Sequence, residues 1–166
     1  MKYKLVKISN ISGEKASAYS IYLNDEEKTV FENFLKENIN SFKSELNDIL
    51  SRLVVIGKDT GAREHFFKIN EGKPGDGVCA LYDRPNSFLR LYCIRYGYNI
   101  LILGGGGPKS KSIRTLGEDP KLKAENSFLR KVSEDITRRL SEGEIYFSDD
   151  NLDFEGNLEF NDEDDD

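Results

Sequence analysis

The chain reads as an α+β fold, an antiparallel β-meander packed with an N-terminal helix hairpin and a C-terminal helix. Three observations predict it. Phe42, Leu46, Ile49, Leu50 and Leu53 recur at i, i+4, i+7, i+8 and i+11, one face of a helix. The runs "VCALYD" and "FLRLYCIRY" are rich in apolar and aromatic residues and flank the turn-forming "RPNS". Asp119 followed by Pro120 opens a long amphipathic stretch, the cap and first-turn residues of a helix.

The elements follow in order. "YKLVKI" alternates, with Tyr3, Leu5 and Lys7 on one side and Lys4, Val6 and Ile8 on the other. "SAYSIYL" has strand composition, and the polar "SNISGEK" between them predicts a hairpin. "NDEEKTVFENFLKEN" predicts a helix capped by Asn24 or Asp25, with Phe31, Phe34 and Leu35 as its apolar stripe. A second helix starts near Ser41, and the short "NINS" break makes the pair an antiparallel hairpin. "GAREHFFKI" reads as either a strand or a helix end. The meander then runs through "VCALYD", "FLRLYCIRY" and, after "GYN", "ILILGGGG". With the first turn centred on Asn86, Cys79 lies opposite Cys93 and Leu81 opposite Leu91 on one face. Tyr82, Arg90 and Tyr92 take the other. In the last helix Phe128 or Leu129, Val132, Ile136 and Leu140 form the buried stripe, with Arg138 and Arg139 among the exposed cations.

Charge divides the chain in two. Residues 147–166 hold ten acidic residues and no basic one, which leaves 24 basic against 20 acidic residues, a net +4, in residues 1–146. The expectation is one α+β domain over 1–146 and a disordered acidic tail over 147–166. The tail also carries an echo, "NLDF" then "NLEF", whose alternate apolar residues Leu152, Phe154, Leu158 and Phe160 suit a strand added to a sheet edge. A basic body beside an acidic tail suggests a polyanion-binding body or an interaction tail.

Composition also excludes functions. No run of about 18 apolar residues is present, so no membrane-spanning partner surface is expected. The start "MKYKLVKISN" lacks the apolar core of a secretory signal, so a cytoplasmic location is expected, with Cys79 and Cys93 as free thiols. A single histidine, His65, and cysteines without close spacing argue against a zinc site, and no cofactor is expected. The four glycines of "ILILGGGGPKSKSIR" do not form a phosphate-binding P-loop, because Pro108 follows them and the helix starts a dozen residues later. They read as a flexible connection or a backbone phosphate nest. A small-molecule enzyme would rest on this run alone.

The basic residues inform as a set. Arg90 lies in a strand, and Lys109, Lys111 and Arg114 leave the end of its neighbour. Arg63 and Lys68 flank "EHFF", with Tyr82, Tyr92, Tyr96 and Tyr98 as aromatic partners. Cations and aromatics on a sheet hold single-stranded RNA, which makes Arg114, Lys68, Arg63 and Tyr82 RNA-binding candidates.

The stretch "FLRLYCIRYGYNILILGGGGPKSKS" resembles the RelE/ParE superfamily of toxins from bacterial toxin–antitoxin pairs, nearest its HigB-like branch. The shared pattern is an arginine at the start of an apolar strand (Arg90), a tight hairpin ("YGYN"), a second apolar strand ("ILIL") and a basic pair (Lys109 and Lys111). The coarse likeness runs from Ser17 to Leu140. The four-glycine insert, the acidic tail and the lack of a basic residue on "VCALYD" depart from it. The resemblance implies an endoribonuclease that cleaves mRNA, ribosome-bound or free, through attack of a 2′-hydroxyl on the adjacent phosphate. Arg90, Lys109 and Lys111 would stabilise the phosphate charge, and His65 or Tyr92 would carry the proton. A small helix-turn-helix antitoxin would be the protein partner. The alternative is a non-catalytic interaction module whose basic groove is masked by its acidic tail.

Overall fold

The computed structural model describes residues 1–69, 71–82, 86–109 and 119–161. It is an α+β structure. Strands β1 (Lys2–Lys7) and β2 (Ser17–Leu23) form the expected antiparallel hairpin, with Tyr3 opposite Leu23 and Lys7 opposite Tyr19. Helices α1 (Val30–Asn38) and α2 (Lys43–Val55) follow. A π-helical turn (Ile56–Thr60) and a short 3-10 turn (Glu64–Phe66) lead into β3 (Phe67–Lys68), so "EHFF" is a turn that runs into a two-residue strand. Next come β4 (Val78–Leu81), β5 (Leu89–Tyr96) and β6 (Ile100–Pro108), then helix α3 (Pro120–Glu142). Three short strands end the described chain: β7 (Ile145–Phe147), β8 (Phe154–Gly156) and β9 (Glu159–Asn161).

Among the described residues the main sheet has seven strands in the order β3-β4-β5-β6-β2-β1-β9. Strands β3 to β6 are the antiparallel meander. The sheet then continues in a way local pattern did not indicate, because β6 pairs in parallel with β2, setting Ile100 beside Ser17 and Ile102 beside Tyr19. The α1–α2 segment and the meander form the long connection that a parallel pair requires.

Both faces of the sheet are covered, so its central strands alternate between two apolar cores. Ile100 and Ile102 face a cluster that includes Tyr92, Ile94, Leu129, Val132 and Ile136, beneath α3. Leu101 and Leu103 face the other, with Phe34, Leu46, Ile49, Cys79 and Cys93, beneath α1 and α2. The expected pairing of Cys79 with Cys93 is present, and Leu81 and Leu91 share their face. Burial pushes the Cys79 thiol up to about 12, which leaves it an inert core residue.

Helix α1 begins later than Asn24 or Asp25. Thr29 caps it, its hydroxyl accepting from the Glu32 N–H while the Glu32 carboxylate accepts from the Thr29 N–H, each at 3.1 Å. Asn24 instead ends the β-hairpin at φ 51°, its N–H donating to the Lys2 carbonyl. The start of α3 is as expected: Asp119 Oδ1 accepts from the N–H groups of Lys121 and Leu122, with Pro120 at the first helical position. Its C-terminal end departs from expectation, because Arg139 is buried.

The reason lies in residues 147–161, which are ordered rather than a disordered tail. Strand β9 adds to the edge of β1, pairing Tyr3 with Phe160. Phe160 stacks on Tyr3 at 4.5 Å, and the Arg139 guanidinium lies 3.8 Å from the Phe160 ring centre. Arg139 also donates to the carbonyls of Asn157 and Glu159. Phe154 is buried against Tyr19, whose hydroxyl accepts its N–H at 3.0 Å. Lys7 meets Asp153 at 2.7 Å. Residues 162–166 lie outside the described part.

Candidate nucleic-acid interface

The four glycines belong to β6 and are buried in it. They are neither a flexible connection nor a phosphate nest. A Cβ on Gly104 would stand 2.6 Å from Leu129 of α3, and one on Gly105 2.5 Å from the Glu125 carboxylate. On Gly106 it would run into the Arg90 carbonyl oxygen of β5. On Gly107 it would meet only the flexible end of Lys121, at 3.1 Å. The run therefore lets α3 and β5 approach the β6 backbone.

That approach leaves Glu125 half-buried, and the partial burial raises its carboxyl pKa above the ordinary 4.5, against the opposing pull of Lys121. A raised folded pKa means that ionising the group costs stability as pH rises through it. Glu125→Gln is expected to raise the melting temperature at pH 7 and to leave it unchanged well below pH 4.5. Thermal melts at the two pH values check this.

Beyond the glycines the register brings cations together. Arg90 lies opposite Gly107 in the β5–β6 pair, and the Lys109 N–H donates to the Phe88 carbonyl at 2.6 Å. Arg90 and Lys109, both half-buried, thus sit at neighbouring strand ends. Lys111 and Arg114 lie outside the described residues.

Tyr92 shares the Arg90 face, as the alternation predicts, but it is 0% exposed beneath α3. Burial pushes its hydroxyl up to about 12, although the neighbouring Arg90 guanidinium favours the phenolate. A phenol so placed is a core residue, unsuited to exchanging protons with a substrate.

The other candidates are dispersed. The Tyr82 N–H donates to the Phe66 carbonyl, which ties the 3-10 turn to the end of β4 nearest Arg90. Tyr82 is 53% exposed there. His65, next to Phe66, is exposed with its ring against the Phe66 ring at 4.2 Å. Lys68 pairs with Ala80 one strand further out. Arg63 belongs to the opposite end of the sheet, its guanidinium 5.5 Å from the ring of Tyr98 in the β5–β6 turn. Arg95 occupies the same end, donating twice to the Ala62 carbonyl. Arg63 is therefore not part of the Arg90–Lys109 cluster.

One feature escaped sequence reading. A cleft of about 240 Å³ lies between α2 and the start of β5. It is lined by Ile49, Leu89 and Leu91 together with Glu45, Ser87 and the exposed Tyr82. Glu45 Oε1 accepts from the N–H groups of Phe88 at 2.6 Å and Leu89 at 3.3 Å, which fixes the entry to β5. Arg52 bridges Asp48 and the Tyr82 carbonyl. In the sequence Glu45 looks like an ordinary acid in the first turn of a helix, and only tertiary placement shows what it holds.

Among the described residues no three histidine, cysteine, aspartate or glutamate side chains gather as a metal site. No described helix is long and apolar enough to cross a membrane. Set against protein-family models, curated proteins and solved structures, the chain matches none of them.

Proposed function

We propose that this chain is the toxin of a toxin–antitoxin pair with a RelE-like fold, and that it acts on mRNA as an endoribonuclease. The observation that carries the reading is the β5–β6 register, which sets Arg90 and Lys109 at adjacent strand ends. Two cations on fixed backbone are suited to a phosphate whose charge grows during 2′-hydroxyl attack. With Tyr92 in the core, His65 is the proton carrier of this proposal, an exposed imidazole beside the turn tied to Tyr82. A small helix-turn-helix antitoxin would neutralise the protein by covering this end of the sheet.

The test is expression of the chain alone, scored for growth, together with binding and cleavage of labelled single-stranded RNA. Growth arrest is expected, and the Arg90→Ala, Lys109→Ala pair should relieve it. That pair should also lower the slope of log affinity against log salt by about 1.4, because two phosphates are no longer neutralised and each accounts for about 0.7. Harmless overexpression of soluble chain that binds no RNA would sink the proposal.

The burial of Tyr92 favours a second reading, a polyanion-binding module that does not cut. Binding without cleavage by the purified chain would select it. The self-masking form of that idea is not supported for residues 147–161, since β9 lies three strands away from β6.

A further inference from the structure

We infer that the cleft between α2 and the start of β5 is a pocket for one nucleobase carrying an exocyclic amino group. This rests on the RNA-binding reading above and adds a base-selective subsite to it. Two polar atoms at the cleft are buried with no hydrogen-bond partner among the described residues, Glu45 Oε2 and the Ser87 hydroxyl oxygen. Buried polar atoms are nearly always satisfied, so such a pair at one cleft calls for a partner. Glu45 Oε2 can only accept from a donor while its carboxylate is ionised, and Ser87 can accept as well. The complementary group is therefore a donor of N–H bonds.

Charge and size narrow the donor. Glu45 and Asp48 outweigh Arg52 at the cleft, which disfavours an anion there. Ligand pockets for larger molecules run from about 300 Å³ upward, so about 240 Å³ suits a single ring system. The apolar side chains of Ile49, Leu89 and Leu91 offer surface to a flat ring, and the exposed Tyr82 offers a stacking partner. Position favours a base over a basic side chain of a protein partner. Phe88 gives its N–H to Glu45 and accepts the Lys109 N–H on its carbonyl, so the cleft and Lys109 lie on two sides of one residue. A base in the cleft brings its own phosphate towards the cationic strand ends. Adenine, cytosine and guanine present an amino group with two N–H donors, enough for both acceptors, whereas uracil offers only its single ring N3–H.

The experiment measures binding of the full chain to single-stranded homopolymeric heptamers of adenosine, cytidine and uridine by fluorescence anisotropy. Adenosine and cytidine heptamers are expected to bind about tenfold tighter than uridine, the worth of one hydrogen bond to a charged group. Glu45→Gln can turn its amide donor into the cleft and should abolish or reverse that preference. Because Glu45 also holds the β5 entry, Ser87→Ala serves as the second variant, expected to shrink the preference with the melting temperature unchanged. Equal affinity for all three heptamers overturns the inference and leaves the RNA-binding reading standing. A preference unchanged in both variants also overturns it. No binding to any heptamer removes both readings. Glu45-dependent binding of an arginine-rich peptide in that case would assign the cleft to a protein partner.

Discussion

Ending the chain after Tyr146 is expected to unfold it, not to uncover a basic groove. The deletion removes Phe154 and Phe160, two fully packed aromatic side chains worth about 2–3 kcal/mol each in buried area. It strips Tyr3 of its stacking partner and takes from Arg139 the Phe160 ring and the two carbonyls that hold its guanidinium. The lost aromatic stack and the lost hydrogen bonds from a charged group add about 2 kcal/mol or more. The expected loss exceeds about 5 kcal/mol, comparable with the whole stability of an ordinary domain. Urea titration of the truncated chain checks this, if the product is soluble at all. Ending the chain after Asn161 is the matched control. It removes five acidic residues without touching β9, and should leave the denaturation midpoint close to that of the full chain. A folded truncation at Tyr146 with raised RNA affinity would contradict this account and revive masking by the tail.

The second large effect is expected within the glycine run, and it is graded. Gly106→Ala drives a methyl into the Arg90 carbonyl of the neighbouring strand, where only backbone can yield. Its cost should reach or exceed the upper end of the ~1–3 kcal/mol typical of overpacking. Gly104→Ala presses on Leu129, a side chain at 0% exposure with little room to turn, and should cost about 1–3 kcal/mol. Gly107→Ala displaces only the tip of Lys121 and should lie within about 0.5 kcal/mol of the parent. Denaturant midpoints of the three variants give the order. A connection whose glycines served only as slack would tolerate all three alike, so equal, small effects would refute the buried-strand description.

These cases also show which parts of the fold were legible from the residues. Asp119-Pro120 marks a helix start through strictly local chemistry, and the cap is where that chemistry puts it. The Cys79–Cys93 register follows from a period of two and a short turn. The glycine run was opaque because a strand made of glycine has no side chains to alternate. Its partners, Leu129, Glu125 and the Arg90 carbonyl, lie far away in sequence. The last strands were opaque for a different reason. Ten acids dominate the composition of residues 147–166, while two phenylalanines and the buried Arg139 decide the structure. The alternating echo was the correct signal there, outweighed by charge. The start of α1 is not legible locally, because Asn24 and Asp25 are good caps in isolation, yet Asn24 is held to Lys2 at the end of the hairpin.

The candidate site divides in the same way. Arg90 and Lys109 were legible as a pair because they flank one hairpin. Alternation places Tyr92 on the correct face, but a residue pattern cannot tell a solvated face from one covered by α3. Only charge links Arg63 to Arg90 in the sequence, whereas the turn after α2 carries it to the other end of the sheet. Glu45 and Ser87 are far apart in the chain and ordinary singly, so nothing local could have joined them.

The pairing of Lys2 with Asn161 has a consequence for how the chain matures. Strand β1 is made long before β9, so one of its two edges stays open until β9 exists. During synthesis that edge is a row of unsatisfied amides and carbonyls beside Tyr3, a template for another chain. Closure needs pairing between segments far apart in the chain, the kind that forms slowly. Nascent protein is thus most vulnerable to aggregation until β9 emerges, and crowded translation of this message should tax chaperones more than its finished surface would suggest.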